Sequence, residues 1–192
     1  IRQVKGLIRR GEASAGARFC GLSDANIHFM DLPFYETGAT KKSPLSEADV
    51  NQTAAFIKNI EPHQIFAAGD LADPHGTHKV CLDVILLAME ELKRESWISD
   101  CWLWLYRGAW HEWPVEEIEM AVPLSPQELV RKRKAIFMHQ SQKDTPPFAG
   151  NDPREFWQRA EERNKATADT YHALGFAEYE AMEAFRRWKF NF

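Results

Sequence analysis

The sequence predicts a Rossmann-like, three-layer α/β domain with a mostly parallel sheet. Two short apolar runs carry the prediction: Ile65-Phe66-Ala67-Ala68-Gly69 and Trp102-Leu103-Trp104-Leu105-Tyr106, each set between turn signals. Runs of that length without polar alternation suit strands buried on both faces of a parallel sheet. Helical patterns lie before, between and after them, and strands alternating with helices are the pattern of βαβ units.

Residues 1–20 read as a helix, with Val4, Leu7, Ile8 and Ala15 at helical spacing and Gly21 placed to close it. Ile27 to Asp31 is a strand candidate ended by Pro33, and 34–43 is a loop. Ser46-Glu47-Ala48-Asp49 resembles a capping box, with Asp in the place of Glu or Gln. It opens a helix to about Ile60, which Pro62 stops. After the first apolar run comes a polar loop, Asp70 to Thr77. A helix follows from His78 to Glu95, with Val80, Val84, Leu87 and Leu92 on one side. Glu117 to Val122 alternates as an edge strand does. Ser125-Pro126-Gln127-Glu128 combines an N-cap, a first-turn Pro and a Glu at the third position, opening a helix to about His139. A Pro-rich loop spans 143–150. Asp152-Pro153-Arg154-Glu155 opens a further helix to about Leu174, Gly175 interrupts it, and a last helix is expected over 177–189. The strands are therefore expected near 27–31, 65–69, 102–106 and 117–122.

The 192 residues are 44% apolar and 27% charged, ordinary values for one globular domain spanning 1–192. A net charge of −4 gives no pull towards nucleic acid or anionic lipid, so neither is an expected partner. The short basic run Arg131 to Lys134 reads as the solvated face of a helix. No apolar stretch approaches the roughly 20 residues needed to span a bilayer, and no signal-peptide pattern is present. Cys20, Cys81 and Cys101 are odd in number, lack zinc-finger spacing and sit among apolar neighbours. Buried free thiols in a reducing, cytoplasmic compartment are the expectation. The chain opens on Ile1 already in a helical pattern, as a fragment or processed product does.

In open α/β sheets, ligands bind beyond the carboxyl ends of the strands. The segment there reads Gly69-Asp70-Leu71-Ala72-Asp73-Pro74-His75-Gly76-Thr77-His78. It gathers two carboxylates and two imidazoles, the usual acid/base and zinc-binding groups at neutral pH. Gly76 permits a tight turn, and Thr77 or Asp73 is placed to cap the helix that follows. On spacing alone the segment reads first as a polar turn with a capping Asp and two exposed histidines. Trp97, Trp102, Trp104, Trp110 and Trp113 cluster around the second apolar run, as core and loop packing or as a sugar-stacking platform. Trp110-His111-Glu112-Trp113 and His139 are further candidates for the border of a site. There is no phosphate loop, nucleophile elbow or dinucleotide fingerprint.

His75-Gly76-Thr77-His78 resembles the second motif, His-Pro-Asp-His, of the PIG-L (LmbE-like) zinc N-deacetylases. The surrounding text is similar in the same order. Arg9, Arg10, Glu12, Ala13, Ala17 and Gly21 resemble that family's helix ending in a Leu-Gly turn. Phe29-Met30-Asp31-Leu32-Pro33 resembles its next strand. His139-Gln140-Ser141-Gln142 and Glu183-Ala184-Phe185-Arg186 resemble two later segments. Phe34-Tyr35-Glu36-Thr37-Gly38 and Asp73 to His78 are similar to family members fused behind a glucosamine-6-phosphate deaminase-like domain. The resemblance implies His78 as a zinc ligand and His75 as the acid that steadies the tetrahedral oxyanion. Thr77 stands where the family has an orienting Asp, leaving Asp73 or Asp70 as substitutes. The family's first motif, Ala-His-Pro-Asp-Asp, which supplies two further zinc ligands and the general base, does not occur here. The implied reading is the C-terminal part of a domain that deacetylates an N-acetylated amino sugar. Its N-terminal strands would be missing, and zinc would belong to the intact domain but be absent or weakly held in this piece. The piece would be inactive, and homo-oligomeric or associated with its missing N-terminal part. The alternative expectation is a non-catalytic domain supporting a glucosamine-6-phosphate deaminase.

Overall fold

The computed structural model describes residues 2–35, 42–69, 76–108, 111–143 and 153–190. Its elements follow the order α1 (Arg2–Phe19), α2 (Glu47–Ile60), β1 (Gln64–Ala68), α3 (Thr77–Glu91), β2 (Trp102–Tyr106), β3 (Met120–Leu124), α4 (Pro126–Phe137), α5 (Phe156–Ala173) and β4 (Ala181–Trp188). The sheet order is β1-β2-β4-β3. β1 and β2 run parallel, from Gln64↔Trp102 to Ala68↔Tyr106. β4 is antiparallel to β2, from Leu103↔Trp188 to Tyr106↔Phe185. The sheet is thus mixed rather than mostly parallel. Among the described residues no helix is long and apolar enough to cross a membrane.

The chain divides into two compact units, one of Ile1–Phe29, Ala109–Glu112 and Ala121–Ala184, the other of Met30–Gly108, Trp113–Met120 and Phe185–Phe192. In the second unit, α2 and α3 pack together. They bury Val50, Ala54, Ile57, Ala88 and Met89 with Leu92, Ile98 and Cys101, and Ile65 of β1 packs against this core. The Ser46–Asp49 capping box forms as the sequence indicates. The buried Asp49 carboxylate accepts from Ser46 N (2.9 Å), Ser46 Oγ (2.6 Å) and Phe34 N (2.9 Å), so one side chain starts α2 and ties down the preceding loop. Burial pushes the Asp49 carboxyl up, and these bonds outweigh it and hold it below the usual carboxylate range.

In the first unit, α1 ends in a Schellman motif. Gly21 takes φ +99°, Leu22 N donates to Ala17 O and Gly21 N to Arg18 O. The apolar side chains Val4, Leu7 and Ile8 of α1 are exposed. Glu12 accepts from both Ser141 N and Ser141 Oγ at 2.7 Å, fastening the segment after α4 to α1. The α4 capping box is reciprocal, Ser125 N to Glu128 Oε2 at 2.7 Å and Glu128 N to Ser125 Oγ at 3.3 Å. α5 begins one turn later than the sequence suggests. Its N-cap is Glu155, with Gln158 closing the box, rather than Asp152.

A polar network lies between α4, α5 and β4. Glu183 is paired with Lys132 and, at 2.6 Å, with Arg163. Asn164 Nδ2 donates to Met182 O at 2.8 Å and to Glu183 at 3.2 Å. Arg163 also holds Glu112 at 2.8 Å, and Thr167 Oγ1 donates to the same carboxylate oxygen at 3.0 Å. Burial raises the Glu183 carboxyl, and the charges of Lys132 and Arg163 more than reverse that and hold it below its ordinary range.

Five expectations are corrected. Residues 27–31 form no strand: Asp31 turns to φ +50° and the Met30 carbonyl accepts from Gln52 instead of a ladder neighbour. The expected last helix over 177–189 is strand β4. Ala, Met, Glu and Arg favour helix, but here Ala181, Met182 and Ala184 are buried in the interior of the sheet and Glu183 faces two cations. Packing of that kind overrides intrinsic propensity. Among the described residues β1 is an edge strand, and Phe66 is exposed, so it is not buried on both faces. Only Cys101 of the three free cysteines is buried, and Cys20 is exposed. The strand expected at 117–122 forms three residues later, after a short 3₁₀ turn at Val115–Glu117.

Glu183 is half-buried between the half-buried Lys132 and the buried Arg163, and breaking such a pair from one side costs up to the ~3–5 kcal/mol of a fully buried one. Glu183→Gln is expected to lose stability of that order in denaturant unfolding at pH 7. Because the folded-state carboxyl is depressed, its contribution is complete above the unfolded value of about 4.3 and is lost as pH falls through the lower folded value. The difference between wild type and variant should therefore shrink in acid.

Candidate active site

The carboxyl ends of β1 and β2 lie side by side because the two strands are parallel. Gly69 extends their ladder, its N–H donating to Tyr106 O at 2.8 Å. A Cβ at Gly69 would stand 2.8 Å from Leu105 Cβ and 2.8 Å from Trp113 Cζ2, so only glycine fits. Trp113 is buried, with the Arg107 guanidinium over its ring at 3.9 Å and that of Arg186 at 5.7 Å. Arg186 in turn pairs with Glu117 at 2.5 Å. The floor at this end of the sheet is thus an aromatic ring under cationic groups.

α3 starts from the same end. Its N-cap is Gly76 at φ +65°, a left-handed conformation that suits glycine, and no side chain caps the helix. Thr77 is its first residue rather than its cap. His78 is the second residue of α3 and is exposed. The unpaired N–H groups and positive end of a helix lie in this turn.

His75, Asp73 and Asp70 lie outside the described residues, as does Trp110. The structure therefore places His78, and its grouping with the others stays an expectation. His139 sits in the other unit, where the absence of a Cβ on Gly16 makes room for its ring, 3.3 Å from the position a Cβ would take. Glu112 is held by Arg163 and Thr167. Among the described residues no group of three His, Cys, Asp or Glu side chains is placed to hold a metal. A catalytic zinc ordinarily takes three protein ligands. His78, an exposed imidazole at a helix start, fits one such position, and the described residues do not complete the set. Arg107 and Arg163 had no signal in the sequence: no spacing distinguishes an arginine that stacks on a tryptophan or is buried between two carboxylates.

No protein-family model matches the chain. A glucosamine-6-phosphate deaminase-like protein of Bacteroides thetaiotaomicron is 56% identical over 187 residues, 96% of this chain. The chain spans 28% of that relative's length. Three solved structures share the fold. A conserved protein of Thermus thermophilus has a TM-score of 0.59 at 17% identity, over 93% of this chain and 72% of its own. The 4-carboxy-2-hydroxymuconate hydratase of Pseudomonas putida has 0.61 at 14%, over 96% and 72%. A deacetylase of the teicoplanin biosynthesis pathway has 0.59 at 16%, over 94% and 72%. A hydratase and a deacetylase on one fold show that the architecture does not fix the chemistry, which resides in the side chains of the site.

Gly69→Ala tests the packing of this floor. The added methyl must displace Leu105 or Trp113, and overpacking of this kind costs typically about 1–3 kcal/mol. The variant is expected to lose stability in that range and to change the near-ultraviolet circular dichroism of its tryptophans. An unchanged spectrum would mean that Trp113 does not rest on Gly69.

Proposed function

We propose that this chain is the C-terminal portion of a PIG-L-type N-deacetylase domain. It would act on an N-acetylated amino sugar, within a longer glucosamine-6-phosphate deaminase-like protein. The observation that carries this is the position of His78, exposed on the first turn of the helix that leaves a parallel strand. The deacetylase among the fold neighbours and the name of the 56% identical relative support it.

In this reading the His78 imidazole would hold a zinc ion, with the remaining ligands supplied from outside the described residues. A bound zinc supplies a Lewis acid and a water of lowered pKa. His75 hydrogen-bonds the oxygen that gains charge as the amide carbon becomes tetrahedral, and Asp73 orients a neighbouring imidazole. The positive end of α3 favours the same negative charge. Free cysteines, one of them exposed, fit a reducing cytoplasmic compartment.

The test is acetate release from N-acetylated amino sugars by the full-length protein with zinc. His78→Ala should lose more than the about 10–100-fold that removal of an outer-shell partner costs. Its thermal unfolding should stay unchanged, because His78 is exposed. Equal activity in both proteins would remove His78 from the ligand set. Absent acetate release in a wild-type protein that retains deaminase activity would favour a non-catalytic supporting domain.

A further inference from the structure

The chain ahead of α2 is fixed by a buried charge. Phe34, 1% exposed, donates its N–H to the Asp49 carboxylate at 2.9 Å, and its carbonyl accepts from Ser43 N at 3.1 Å. Tyr35 N donates to Leu32 O at 3.0 Å. Residues 34 and 43 are thereby clasped, and their neighbours Tyr35 and Lys42 meet beside the clasp. The Lys42 ammonium stands 4.1 Å from the centroid of the Tyr35 ring, which holds the charge in one place. Tyr35 is 36% exposed, so the pair is open to solvent.

Topology places this pair. α2 ends at Ile60 and β1 starts at Gln64, with Ile65 packed on the α2–α3 core, so helix and strand run in opposite directions. α3 leaves the far end of β1 and packs beside α2. Lys58 Nζ meets Glu95 Oε1 at 2.6 Å, joining the two helices where both have ended. The helices are therefore parallel, and both start at the carboxyl end of β1. The Tyr35–Lys42 pair, tied to the first turn of α2 through Asp49, stands at that end with the first turn of α3 and His78.

We propose that Lys42, steadied by Tyr35, is a specificity-determining residue of the candidate site and takes an anionic substituent, a phosphate or a carboxylate, on the N-acetylated amino sugar. This rests on the deacetylase reading of the same site. A lysine ammonium is a compact point charge that suits either anion, and a charge-assisted hydrogen bond is roughly twice as strong as a neutral one. The start of α3 carries no side-chain cap, so its positive end adds a field of the same sign. A hydroxyl in the place of the anion forfeits both contributions. Asp49 is the positioning residue: it touches no substrate and sets where Tyr35 and Lys42 stand.

The experiment uses the full-length, zinc-loaded protein and N-acetylated hexosamines that carry a phosphate ester, a uronic carboxylate or neither. Acetate release gives KM and kcat, and calorimetry gives Kd for the same sugars without turnover. Wild type is expected to favour an anionic sugar over the neutral one by about 10–100-fold in KM and Kd, the range a hydrogen bond to a charged group supplies. The anion with the larger gain identifies the substituent. Lys42→Met keeps the stem over Tyr35 and should remove most of that preference, acting on KM far more than on kcat, while Lys42→Arg should restore it. Absent acetate release together with a Kd preference that depends on Lys42 would sink the deacetylase reading and leave the anion site standing. Equal KM and Kd for anionic and neutral sugars in wild type, or a preference that survives Lys42→Met, would overturn the proposal. The wild-type comparison needs no substitution, so a misfolded variant leaves the proposal open to refutation.

Discussion

Two parallel strands cannot be joined by a tight turn, and that constraint organises everything near the candidate site. The chain leaving β1 must return to the start of β2, and α3 makes the crossover. The carboxyl ends of both strands therefore fall side by side. The first turn of α3, with His78, begins at that same end. Close approach of the two strands also decides the packing there. Gly69 lies against Leu105 and Trp113 with no space for a methyl, and Trp113 is held under Arg107.

The other unit depends on charge rather than on strand direction. β4 contributes Glu183, and Lys132 and Arg163 converge on it from two helices. Arg163 spans two carboxylates, Glu183 and Glu112, so the loop after β2 is tied to α5 by the ion that neutralises the strand. Buried charges are tolerable only when paired and hydrogen-bonded. Asn164 and Thr167 supply those additional bonds.

Much of this was legible in the residues themselves. The capping boxes at Ser46 and Ser125, the closing turn at Gly21 and the two apolar strands all formed where local chemistry put them. Local signals of this kind need no partner. What failed needed one. Ile27 to Asp31 has a strand's composition but no ladder neighbour among the described residues, and Asp31 breaks its extended course. Ala181 to Trp188 has a helix former's composition, yet its position in the sheet and the cations facing Glu183 make it a strand. Phe66 belongs to an apolar run that reads as doubly buried, and it is exposed. For the site, the tight turn at Gly76 was readable from the sequence, while the role given to His78 rests on the family resemblance and not on spacing. The stacking of Arg107 on Trp113 was not readable, since it is a tertiary contact with no sequence period.

The central claim is that His78 is a metal ligand at the carboxyl end of a parallel pair. X-ray absorption at the zinc edge of the zinc-loaded full-length protein addresses it without relying on turnover. Imidazole ligands give a distinct scattering pattern, and His78→Ala removes one ring. Loss of one imidazole from the zinc shell in the variant is the predicted result. An identical spectrum in the two proteins would contradict the assignment and place the metal, and the chemistry built on it, elsewhere.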